Sequence, residues 1–241
     1  KIGFLSSPFD LESANFILSL NIPYIKIPSG EITNLPLLEF IASKKKPVIL
    51  STGMSTLKEI NFAINILLKN GLSKNKINIL HCTSEYPTPS KNVNLNTIAL
   101  LKETFMCNVG FSDHTLNMEA SIAAASIGAK IIEKHITLSN DLDGPDHKSS
   151  MEPKDFKKMV KIIRNIEILL GHKKKIISND EKKNKTIVRK SIVAKKKILK
   201  GQIFTKHNLT TKRPGNGISP VNWYKLIGKR SKKNYKIDEL I

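Results

Sequence analysis

The chain has 241 residues, 40% of them hydrophobic, with 40 Lys and Arg against 20 Asp and Glu for a formal charge of +20. That length and apolar content support a sizeable core and exclude a disordered protein, and no apolar run approaches the roughly 18 residues that cross a bilayer. Cys82 and Cys107, without a CxxC spacing, exclude a disulfide framework and a cysteine zinc site, and they fit a reducing cytoplasm. The lysines are spread along the whole chain, with runs at 44–46, 173–175 and 195–197. Asparagine and isoleucine are abundant with them, which fits genome composition better than one basic patch, and no stacking aromatics interleave the lysines. The expectation is no specific nucleic acid, no membrane, and a general electrostatic pull on small anions.

Residues 2–7 are expected to form an opening strand, followed by an amphipathic helix from the N-cap Asp10 to about residue 20. A unit then repeats. Strand 22–27 ends in Pro28-Ser29-Gly30-Glu31 and leads to a helix over 35–43. Strand 47–50 ends in Ser51-Thr52-Gly53 and leads to a helix over 56–69, closed by Asn70-Gly71. Strand 77–80 ends in His81-Cys82-Thr83-Ser84, with a helix near 95–103. Strand 107–111 ends in Ser112-Asp113-His114, helix 116–127 follows, strand 129–133 ends in Lys134-His135, and a last helix covers 153–170.

Six β–α units with continuously apolar strands predict a parallel sheet. No Gly-rich dinucleotide fingerprint follows the first strand, and every strand ends in its own polar cluster. That is the habit of a (β/α)8 TIM barrel, whose reactive groups gather at the carboxyl ends of the strands. Six units do not close eight strands, so the first two units are expected to lie before Lys1. The predicted organisation is a partial barrel over 1–172, a lysine-rich, weakly structured linker over 173–186, and a small second domain over 187–241. In that domain the pattern predicts a strand at 191–194, a capped helical turn at 205–209, a loop at 213–217 and a helical segment at 220–227. So small a unit has little core and is expected to dock on another surface.

His114 and His135 terminate neighbouring parallel strands, so both imidazoles emerge at one edge, where they can share a divalent metal or serve as two hydrogen-bonded strand-end histidines. Ser29, Ser51, Ser84 and Ser112 offer hydroxyls at four strand ends for carboxylate or phosphate oxygens. Lys26 and Lys134 add positive charge, and Glu31 and Asp146 offer carboxylates for proton transfer. A single strand-end serine is ordinarily a turn or cap residue. The recurrence at every strand end favours a site.

The segments K-I-P-S-G-E-I-T-N-L-P-L-L (26–38), S-T-G-M (51–54), H-C-T-S-E-Y-P (81–87), G-F-S-D-H-T (110–115), I-E-K-H (132–135) and G-P-D-H-K (144–148) strongly resemble the N-acetylneuraminate (sialic acid) synthase family. K-G-Q-I-F (200–204) and K-R-P-G-N-G-I (212–218) resemble the antifreeze-like (SAF, β-clip) domain that ends those enzymes. The resemblance implies condensation of phosphoenolpyruvate with an N-acetylated amino sugar, N-acetylmannosamine for a sialic acid synthase, giving a nine-carbon 2-keto acid and phosphate. It implies that His114 and His135 hold Mn2+ or Mg2+. Lys26, Ser7, Ser29, Ser51, Ser84 and Ser112 match phosphoenolpyruvate-binding positions, and Glu31, Tyr86 and Asp146 match catalytic positions near the sugar. Arg213 matches an arginine that reaches a neighbouring subunit's site and contacts the N-acetyl group, which implies a homodimer with exchanged C-terminal domains.

Legionaminic and pseudaminic acid synthases share this machinery and remain alternatives, and a non-catalytic sugar- or nucleic-acid-binding module is a distant third. The family's first two β–α units, with a glutamate and a lysine of the site, have no counterpart here. The 241 residues alone are therefore expected to be poorly stable and inactive.

Overall fold

Short apolar strands alternating with helices build the first of two compact units, Lys1–Gly171 and His172–Ile241, in a computed structural model that describes residues 2–241. Strands β1 (Ile25–Ile27), β2 (Val48–Ser51), β3 (Ile77–Cys82), β4 (Asn108–Asp113) and β5 (Ile132–Lys134) form one sheet in chain order, all neighbours parallel. The helices are α1 (Leu11–Ser19), α2 (Leu35–Ser43), α3 (Leu57–Lys69), the single turn α4 (Ser90–Val93), α5 (Thr97–Phe105), α6 (Glu119–Ser126) and α7 (Pro153–Leu170). Their starts follow local chemistry. Asp10 caps α1 through Ser13 N, Asn34 caps α2 through Leu37 N, and Thr56 with Glu59 forms a capping box on α3.

Side chains alternate across a strand, and the register carries that alternation across the sheet. One face, with Ile25, Ile27, Val48, Leu50, Ile77 and Ile79, packs against Leu37, Leu38, Ile41, Ile64 and Leu67 of the helices and forms the main core. The other face carries Lys26, Ser51, Cys82, Ser112 and Glu133, and the register pairs Cys82 with Ser112 and Ser112 with Glu133. A flat sheet would separate β1 from β5 by about 19 Å, four strand spacings. Lys26 Nζ nevertheless lies 3.3 Å from Glu133 Oε2. The sheet therefore curls into a half-barrel around its polar face. Gly110 permits the close packing there, because a Cβ would come 2.5 Å from both Ile131 O and Leu80 Cδ2.

Two expectations for this unit need correction. Residues 2–7 form no strand, since they find no ladder partner among the described residues, and Ile2 is 98% exposed. Six laddered strands become five, and the sheet extends past β5 only through the parallel bridge Ile136↔Met151. The described residues make an open, curled sheet, not a closed eight-stranded barrel.

In the second unit, β6 (Ser191–Ala194) and β7 (Leu209–Lys212) pair antiparallel, and α9 is a single turn at Trp223–Leu226. Ile192, Ala194, Ile198, Phe204, Leu209 and Tyr235 form its core. The expected loose linker contains a real helix, α8 (Asn179–Val188), started by a Ser178–Glu181 capping box that the lysine content obscures. The charge is also less evenly spread than the lysine positions imply. Residues 172–241 hold 21 Lys or Arg against four Asp or Glu, whereas residues 1–171 hold 19 against 16. No helix among the described residues is long and apolar enough to cross a membrane.

Candidate active site

The polar face of the curled sheet gathers most of the strand-end residues. Lys26, in the middle of β1, is only 7% exposed, and its ammonium pairs with Glu133 across the half-barrel. Ser112 Oγ donates to the other oxygen of the same carboxylate, Oε1, at 2.6 Å. Ser29, in the 3-10 turn after β1, accepts from Gly53 N at 2.9 Å and lies 3.3 Å from Cys82 Sγ. A Cβ on Gly53 would fall 2.4 Å from Ser84 Oγ and 2.9 Å from Ser29 Oγ. The loops after β1, β2 and β3 thus converge on Gly53, where a Cβ would force the Ser84 and Ser29 hydroxyls to shift. Ser51 Oγ, beside them on β2, is buried without a hydrogen-bond partner, the one such side-chain atom among the described residues. An orphaned hydroxyl in an otherwise satisfied polar layer is completed by a water, an ion or a ligand.

At the edge above this layer sit the two histidines. His114 Nδ1 faces Thr83 O at 2.7 Å, so it must donate, which leaves the Nε2 lone pair free on the side of Ser112 Oγ. Burial lowers the His114 pKa and so favours the neutral ring, the form that binds a metal. The His135 ring stands edge-on to it with centroids 5.4 Å apart. Tyr86 packs against both rings, at 4.2 Å from His114 and 5.6 Å from His135. Burial raises its hydroxyl pKa, with Cys82, Asp146 and Glu133 adding to the effect.

A neutral imidazole oriented by a backbone carbonyl is the usual support for a metal ligand. The described residues offer no cluster of three or more His, Cys, Asp or Glu able to hold a cation. The imidazoles of His114 and His135 are the two donors at this edge whose chemistry fits a divalent cation.

Several expected site residues have other engagements. Glu31 accepts from Asn34 Nδ2 at 2.6 Å, the same Asn34 that caps α2. Asp146 is exposed in the loop before the 3-10 turn His147–Ser149, and its carbonyl accepts from Ser150 Oγ at 2.7 Å. No hydrogen bond or ion pair among the described residues links Ser7 to the cluster. Arg213 belongs to the second unit, where its Nε donates to Val188 O at 2.9 Å. Lys134 does not add charge to this face. It points to the helix side, where Nζ lies 3.0 Å from Asp113 Oδ2 in a fully buried pair. There it also donates to Thr115 O and Asn117 O, while Asp113 accepts from Ser121 Oγ.

Glu133 is the central residue that sequence reasoning passed over. It stands two positions before His135 and so on the same strand face, and that period of two was the available signal.

Residues 1–175 match the model of the NeuB family, and residues 189–241 match the SAF domain. The chain belongs to the NeuB family. It is 52% identical, over all 241 residues, to the N,N'-diacetyllegionaminic acid synthase of Campylobacter jejuni, covering 72% of that protein. It is 34% identical to the human N-acetylneuraminate-9-phosphate synthase, covering all of this chain and 67% of that one. Among solved structures, the N-acetylneuraminic acid synthetase of Leptospira borgpetersenii superposes with a TM-score of 0.68 at 36% identity, over 74% of this chain and 61% of that one. NeuB-family membership makes the chain a sialic-acid-type synthase by kinship.

Proposed function

We propose that the chain carries the active site of a synthase that condenses phosphoenolpyruvate with an N-acetylated amino sugar. The observation that carries the reading is the curled polar face, where Lys26 meets Glu133 and Ser112 across the half-barrel, Ser29 and Ser84 meet at Gly53, and the Ser51 hydroxyl is buried without a partner. Lys26 and the serine hydroxyls bind the phosphate and carboxylate of phosphoenolpyruvate as charge-assisted donors. His114 and His135 would hold a divalent cation, Mn2+ or Mg2+, which would supply Lewis-acid polarisation of the sugar's aldehyde group. Tyr86 holds the imidazoles in place by packing. Glu31 and Asp146 are the carboxylates for proton transfer as C3 of phosphoenolpyruvate bonds to the aldehyde carbon, water adds at C2 and phosphate leaves.

The same reading places the half-barrel in a complete (β/α)8 barrel, supported by the curl that brings β1 to β5. It gives Arg213 the role of contacting the N-acetyl group from the exchanged SAF domain of a homodimer, in a reducing cytoplasm where Cys82 and Cys107 stay free.

For the acceptor, the 52% likeness to a diacetyllegionaminic acid synthase against 34% to an N-acetylneuraminate-9-phosphate synthase favours a 2,4-diacetamido hexose over N-acetylmannosamine. Phosphate release from phosphoenolpyruvate, by the protein made from its natural reading frame, tests both levels. The reading expects turnover that requires Mn2+ or Mg2+, is lost in His114→Ala, and is faster with the diacetamido sugar. Turnover with N-acetylmannosamine alone would restore the sialic acid assignment, and turnover with neither sugar would refute the synthase.

A further inference from the structure

The Glu133 carboxylate holds the donors that the proposed substrate needs. Among the described residues Lys26 is the cation of the polar layer, and its charge is engaged by Glu133 Oε2 at 3.3 Å. Ser112, the nearest hydroxyl on the neighbouring strand, spends its proton on Oε1 at 2.6 Å. The register fixes this arrangement, since Ser112 and Glu133 are Cα partners on β4 and β5 and Lys26 approaches from the opposite wall. Lys26 is buried and has no competing anionic partner, so an anion entering the layer meets donors already bonded to a carboxylate. Ser51 Oγ, by contrast, is uncommitted.

We infer that Glu133 is a positioning residue that acts as an internal competitor: its carboxylate holds Lys26 and Ser112 in the geometry of the anion site, and a bound phosphate or carboxylate must displace it from both. The inference rests on the reading of this face as the phosphoenolpyruvate site. It differs from a role in chemistry, because a group that contacts reacting atoms would lose turnover on removal without any gain in binding. It differs equally from a merely structural role, which would leave ligand affinity unchanged or lower. Neutralising Glu133 removes a like charge at contact distance from the incoming anion and frees Lys26, worth about tenfold in affinity in this partly screened setting.

The test is calorimetric binding of inorganic phosphate, then of phosphoenolpyruvate, to wild type, Glu133→Gln, Glu133→Ala and Lys26→Ala, each checked for folding by circular dichroism. The inference expects both Glu133 variants to bind roughly tenfold more tightly. Lys26→Ala is expected to lose binding. Unchanged or weaker binding in a folded Glu133 variant, with Lys26→Ala still losing it, overturns the competitor role and leaves the site reading intact. Full binding by Lys26→Ala overturns the site reading itself. Two variants at position 133 are included because glutamine keeps Ser112's acceptor and alanine does not, so a folding failure in one leaves the other informative.

Discussion

The two units of the chain reach stability by different routes. The first has a near-balanced charge, 19 basic against 16 acidic residues, and an extensive apolar core between sheet and helices. The second carries 21 against four on a core of six buried residues. Its ion pairs, Lys183–Asp180, Lys212–Asp238 and Lys233–Glu239, are exposed or nearly so and contribute little. Genome composition acts on both halves alike, so it does not by itself explain the imbalance. Balanced charge goes with the unit that must build a polar layer inside its fold, and unbalanced charge goes with the unit that has almost no interior to protect.

The comparison breaks first at the buried pair. Asp113→Asn leaves the Lys134 ammonium without its partner in a site closed to water, and this is expected to cost about 3–5 kcal/mol of the first unit's stability. Urea unfolding followed by a probe in that unit measures it. Replacing both partners with apolar residues is expected to recover most of the loss, and a single variant within about 1 kcal/mol of wild type would contradict the pair's role.

Next comes Ile192→Ala in the small core, expected to cost about 2–4 kcal/mol. With so few buried residues to share the loss, hydrogen exchange should show the second unit opening while β1–β5 keep their protection. Uniform loss of protection in both units would show that they unfold as one.

Smaller still is the effect of salt. Raising ionic strength from about 0.01 to 0.15 M shortens the screening length from roughly 30 to 8 Å. It should relieve self-repulsion in the second unit and raise its midpoint more than that of the first. Equal shifts would remove the charge distinction between them.

Much of this architecture was legible because periodicity and caps are local. The bounds expected for α2 and α7 are those observed, and β3, β4 and β5 begin or end within a few residues of their expected limits. What stayed illegible depends on partners. Residues 2–7 have a strand's composition, but a strand exists only where a neighbour accepts its hydrogen bonds. Lys134 and Glu133 are adjacent in sequence and opposite in function, because one points to the helices and the other to the polar face. Reading the I-E-K-H segment as a cluster hid that alternation, whereas counting by two from His135 would have exposed it. The Ser51 orphan could not be read at all, since an unsatisfied hydroxyl is a property of the whole packed layer.

That hydroxyl offers the most direct test of the central claim, that the polar face of the half-barrel is a binding site for an anionic substrate. Ser51→Ala should be examined by chemical denaturation and by phosphoenolpyruvate calorimetry on the same preparation. Removing a buried, unpartnered hydroxyl is expected to stabilise the protein by about 1 kcal/mol and to weaken phosphoenolpyruvate binding severalfold. A variant that gains stability and keeps full binding would contradict the claim, since Ser51 would then be a packing defect and not a group held ready for a ligand.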